Sequence, residues 1–136
     1  LFSTNDILEA TRRIKAFNQL VILDTCHAGG ASSLVRGLYD ARLAVLARNM
    51  GLHIFASASA TEEALDGYEG NGLFTHTLLK GLRTGVADKN ADRVVTVKEL
   101  GEYARRETMG LSQKIRLNQE PLLMNFGKDV NVYAIP

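Results

Sequence analysis

The sequence has one cysteine, two prolines and no tryptophan in 136 residues. A single cysteine, Cys26, cannot close an intrachain disulfide, and a cysteine-rich zinc centre is excluded. A reducing compartment is the natural reading, so the expected location is the cytoplasm. Charge of one sign is also lacking. Sixteen Lys and Arg against fifteen Asp and Glu leave a net charge of +1, too small a field to hold a nucleic acid or an anionic membrane. No apolar run reaches the roughly 18 residues a membrane span needs, and no stretch reads as a secretory signal. Neither nucleic acid nor membrane is therefore expected as a partner. Repeats and low-complexity segments are missing too, so residues 1–136 read as one domain. With 46% hydrophobic and 23% charged residues, that domain is globular rather than disordered.

What is present is an alternation of helical and strand-like segments. Residues 4–17 read as a helix capped by Ser3 and Asp6, with Ile7, Ala10, Ile14 and Phe17 at helical spacing. Residues 20–23, Leu-Val-Ile-Leu, form a short continuous apolar run that suits a strand buried on both faces of a sheet. Residues 36–50 read as a second helix stopped by Gly51, and residues 52–56 as a second buried strand. Residues 60–71, polar with Glu62, Glu63 and Asp66 among their acids, read as a loop. Residues 73–82 read as a helix with Phe74, Leu78 and Leu82 on one face. Thr96 and Glu99 form a capping box for a helix carrying Val97, Leu100 and Ala104. Residues 110–120 read as irregular, and residues 122–126 and 130–135 as two short strands around a Gly-Lys-Asp turn. This order predicts an α/β fold with a mostly parallel sheet flanked by helices.

Such sheets bind ligands at the carboxyl ends of their strands, which brings forward Asp24-Thr25-Cys26-His27-Ala28-Gly29-Gly30 and Ser57-Ala58-Ser59. A cysteine at the end of a buried strand, beside an acid and two glycines, is placed for nucleophilic chemistry, because glycine lets a substrate approach the backbone. The bland alternatives are an inert buried cysteine, a strand-end acid bonding local N–H groups and an ordinary small-residue turn.

Leu-Asp-Thr-Cys-His-Ala-Gly resembles the nucleophile motif of the caspase-like peptidases, in particular metacaspases and their bacterial relatives. Further stretches resemble the family in order: Phe55-Ala56-Ser57-Ala58-Ser59-Ala60 with Glu63-Ala64, then Gly72-Leu73-Phe74-Thr75, then residues 88–100, then Gln119-Glu120-Pro121. The resemblance covers the chain from about residue 5. It implies a three-layer caspase-like fold and a cysteine endopeptidase that takes protein or peptide substrates. Cys26 would attack the scissile carbonyl. Asp24 would line the S1 pocket and receive Arg or Lys, consistent with the two-pronged bond a carboxylate makes to guanidinium. Ser57 and Ser59 would line the same pocket.

The family also needs a histidine followed by glycine, upstream of the cysteine, and none precedes Cys26 here. His27 adjoins the nucleophile and should point away from it. His53 opens its strand at the opposite end of the sheet, and His76 sits on a helix outside its apolar face. None is assigned as the base. The expectation is that the first strands and the His lie outside this sequence, on a preceding segment or a complementary chain. The chain opens on Leu1, which agrees with a processed or partial chain. The runner-up is an inactive caspase-like module that binds partners.

Asp88, Asn90, Asp92, Thr96 and Glu99 occupy positions 1, 3, 5, 9 and 12 of a calcium-loop template. Position 6, however, is Arg93 where the turn wants glycine. A surface turn into a capped helix is the preferred reading. No cofactor is required, and calcium is kept only as a candidate activator. Lys80, Arg83, Lys89, Arg93, Lys98, Arg105 and Arg106 read as solvated faces, or as self-cleavage points for a basic-specific protease.

Overall fold

A computed structural model describes residues 3–24, 37, 40–57 and 72–136. Helix α1 (Thr4–Arg13) opens with the expected capping box, in which Ser3 and Asp6 satisfy each other's backbone N–H groups. It ends earlier than its periodicity suggests. The side-chain amide of Gln19 donates to the carbonyls of Thr11 and Ala16 at 3.1 and 3.2 Å, taking up acceptors that a further turn would have used. Ile14 and Phe17 consequently lie outside the core, 57% and 95% exposed.

Strand β1 (Gln19–Leu23) pairs in parallel with β2 (Leu52–Ala56), from Gln19 opposite Leu52 to Leu23 opposite Ala56. Between them runs helix α2 (Ala41–Asn49), capped by Asp40. Gly51 turns the chain from α2 into β2 with φ +58°. A β-carbon there would collide with the Phe17 carbonyl, so the position demands glycine twice over. All five residues of β2 are buried. Its alternation supplies two cores. Leu52 and Ile54 pack with Leu8 and Ala47, whereas Phe55 packs with Phe74, Leu78, Leu100 and Tyr103.

The second core is built by helices α3 (Leu73–Thr84) and α4 (Val97–Lys114). Thr96 and Glu99 cap α4 as expected. The helix continues five residues into the stretch read as irregular, because Thr108 and Ser112 bury their hydroxyls against partners at Thr77 and Met109. At the surface of the α3–α4 contact, Lys80 lies 3.5 Å from Glu107. Tyr103, and then Glu107, hold the Lys80 ammonium above its usual range, while burial pushes the Tyr103 phenol up.

Strand β4 (Leu122–Asn125) pairs antiparallel with β2, giving a three-stranded mixed sheet in the order β1-β2-β4. The two last strands do not form a hairpin around the Gly-Lys-Asp turn. Instead β5 (Asn131–Ala134) crosses to pair with β3 (Val94–Thr96), a short strand that the sequence pattern hides inside the acidic segment. The molecule is thus mixed α/β, and the main sheet is less parallel than its helix–strand alternation suggests. Among the described residues, no helix is long and apolar enough to cross a membrane.

Candidate active site

The parallel register places the carboxyl ends of β1 and β2 side by side, with Leu23 opposite Ala56. Asp24 and Ser57 therefore leave neighbouring strands at one edge, where the sequence expects a site. The Ser57 N–H donates to the Leu23 carbonyl at 2.9 Å, extending the ladder by one more bond. Cys26, His27 and Ser59 lie outside the described residues.

Asp24 is exposed. Its Oδ2 accepts a hydrogen bond from Thr75 Oγ1, on the first turn of α3. The helix begins at Gly72, which brings no capping side chain of its own. A β-carbon on Gly72 would lie 2.5 Å from Asp24 Oδ2. The carboxylate thus fills the volume a capping side chain would need and docks on the helix N-terminus, where the macrodipole attracts negative charge. Glycine at 72 makes this approach sterically open.

Ser57 is fully buried. Its carbonyl accepts from Gln119 Nε2 at 2.7 Å, and the Gln119 backbone N–H donates in turn to Ser112 Oγ at 3.1 Å. Gln119 is 1% exposed. A buried amide in the approach to β4 therefore fixes the end of β2 and ties it to α4. Beside it, Arg105 pairs with Glu120.

Thr75, Gly72 and Gln119 are absent from the sequence-based set of site residues. Their partners are 51, 48 and 62 residues away in sequence respectively, beyond any local pattern. A signal did exist in the glycine just before a helix that lacks its own capping side chain.

The histidines fall as follows. His53 is buried at the amino end of β2, opposite Leu20 and away from Asp24. Its Nε2 donates to the Lys128 carbonyl at 3.0 Å and its Nδ1 lies 2.9 Å from Asn125 Oδ1. Both ring nitrogens are thus engaged in structure. His76, read as lying outside the apolar face of its helix, is half-buried on α3.

The acidic loop takes the shape of its template at one point. Arg93 adopts φ +67°, the left-handed turn for which position 6 wants glycine. The loop's oxygens, however, are turned on its own backbone. Asp88 accepts from Asp92 and Arg93, Asn90 from Asp92, and Asp92 from Val94. Glu99 accepts from Lys89 and Thr96. Among the described residues, no group of three or more His, Cys, Asp or Glu side chains converges as a metal site. The seven basic residues read as solvated faces are all exposed.

By fold class this is a mixed α/β protein with its candidate site at the carboxyl edge of a parallel strand pair. Compared with family models, with curated proteins and with solved structures, the chain matches none.

Proposed function

We propose that this chain forms part of a caspase-like cysteine peptidase domain that cleaves peptide bonds after Arg or Lys. The observation that carries the reading is the exposed Asp24 carboxylate, held at the carboxyl edge of the β1–β2 pair two residues before the only cysteine. In this reading a substrate guanidinium or ammonium pairs with Asp24, which sets the scissile carbonyl near Cys26. A base removes the thiol proton, the thiolate adds to the carbonyl, and the same proton leaves with the amine. Water then hydrolyses the thioester. Ser57 serves through its backbone position, because its side chain is buried, and Ser59 continues the same wall.

The base comes from outside this sequence, on a preceding segment or a complementary chain. His53 is committed to Lys128 and Asn125. Strand β1 is paired only with β2 among the described residues, and Ile22 on it is 45% exposed. An open edge of that kind suits an added strand. The protein acts in the cytoplasm and needs no cofactor for the chemistry, with calcium at most an activator.

Fluorogenic peptides with Arg, Lys or Asp at P1 test the reading on the longest polypeptide containing this sequence. Cleavage after Arg and Lys should vanish in Cys26→Ala. Asp24→Ala should lose the preference for basic P1 residues by about a hundredfold, the range of a charge-assisted bond. The absent base favours a second reading, an inactive caspase-like module that binds partners. Cleavage by none of the variants, with Cys26 slow toward iodoacetamide, would select it.

A further inference from the structure

The carboxylate assigned to S1 is held by a different element from the one that carries it. Strand β1 delivers Asp24 to the sheet edge, but its Oδ2 is bonded by Thr75 Oγ1 of α3. The approach is open only because residue 72 has no β-carbon. An exposed aspartate at a strand end otherwise samples several rotamers and can turn back on neighbouring N–H groups. A carboxylate with one oxygen fixed on a helix start is pre-oriented for a cation, so less ordering is left to the moment of binding.

We propose that Thr75 is the positioning residue for P1 recognition. Its hydroxyl fixes Asp24 in the rotamer that receives the basic side chain of the substrate, and Gly72 keeps the space in which that rotamer fits. The proposal rests on the peptidase reading and adds to it a residue outside the nucleophile motif. Thr75 does not touch the scissile bond. It acts on binding rather than on the chemical steps, so its loss should raise KM and leave kcat nearly unchanged.

The experiment uses the longest polypeptide containing this sequence, with Arg-P1 and Lys-P1 peptides and the variants Thr75→Val, Thr75→Ser and Asp24→Ala. Thr75→Val keeps the shape and removes the donor. It should raise KM about tenfold for both peptides, the worth of one hydrogen bond to a charged group at an exposed site. Thr75→Ser should restore wild-type KM. In the double variant Thr75→Val/Asp24→Ala, the Thr75 substitution should add nothing, because its effect runs through Asp24. Thermal unfolding of each variant is measured alongside. The proposal is overturned if Thr75→Val lowers the melting temperature without moving KM, which would mark the bond as purely structural. It is also overturned if Thr75→Ser fails to rescue a folded enzyme. Absence of cleavage by wild type would overturn the peptidase reading itself, a separate outcome from a wild type that cleaves and a Thr75→Val variant that matches it.

Discussion

The two ends of the β1–β2 pair use polar side chains in opposite ways. At the amino end, the buried His53 ring is closed off between Asn125 and Lys128, and Gln19 stops α1 from within the same region. At the carboxyl end, Gln119 is equally buried, but it fixes a backbone carbonyl next to an exposed carboxylate, and that carboxylate is itself steered by Thr75. One end spends its polar groups on closing the fold. The other arranges them around a group left facing solvent, which is what a binding edge requires.

Substitutions can break or sharpen this contrast. The largest effect should come from Phe55, which lies fully buried between the two ends and packs on α3 and α4. Phe55→Ala should cost about 3–5 kcal/mol and loosen both ends together, read by denaturant unfolding. Gln119→Met and His53→Leu form the discriminating pair. Gln119→Met takes the side-chain partner from the carbonyl of the buried Ser57 and should cost about 1–3 kcal/mol, and His53→Leu takes the partner from the carbonyl of the exposed Lys128 and should cost about 1 kcal/mol. Only Gln119→Met should also raise KM for basic P1 peptides. Equal kinetic damage from His53→Leu would erase the distinction between the ends.

A smaller change of opposite sign is expected at the end of α4. There Arg116 sits at φ +61°, and the Arg116 and Leu117 N–H groups close back on Gln113 and Ser112. Glycine is at ease in that left-handed position, so Arg116→Gly should stabilise by about 1 kcal/mol with no change in kinetics. The smallest effect should be at the start of α1. The Ser3 backbone N–H, then its hydroxyl, hold the Asp6 carboxyl below its ordinary value of 3.8. A depressed folded-state value means that the stabilisation is complete above the ordinary value and disappears as pH falls through the folded one. The difference in melting temperature between wild type and Asp6→Asn should therefore be present at neutral pH and vanish in strong acid.

Much of this fold was legible in local pattern. The segment 52–56, read as a second buried strand, is buried throughout as β2, and the Ser3–Asp6 and Thr96–Glu99 boxes announced two helix starts, whereas the apolar run 20–23, read as buried on both faces, is only half-buried in β1 with Ile22 45% exposed. The errors arose where a distant partner decided the outcome. Gln19 ends α1 four residues before its periodicity fades. Buried hydroxyls at Thr108 and Ser112 let α4 run on. β5 pairs with β3 across the acidic loop rather than with its neighbour β4. The candidate site shows the same division. Asp24 could be chosen from its place after an apolar run and before Cys26, whereas Thr75 and Gln119 enter only through tertiary contact.

The most direct test of the central claim asks whether Asp24 and Cys26 serve one site. The longest polypeptide containing this sequence is treated with an arginyl and, separately, an aspartyl chloromethyl ketone, and the product is read by intact mass and peptide mapping. The account predicts one arginyl adduct, on Cys26, formed far faster than the aspartyl adduct and lost in Asp24→Asn, while iodoacetamide still labels Cys26 in that variant. Equal labelling by both ketones, or arginyl labelling that survives Asp24→Asn, would contradict it.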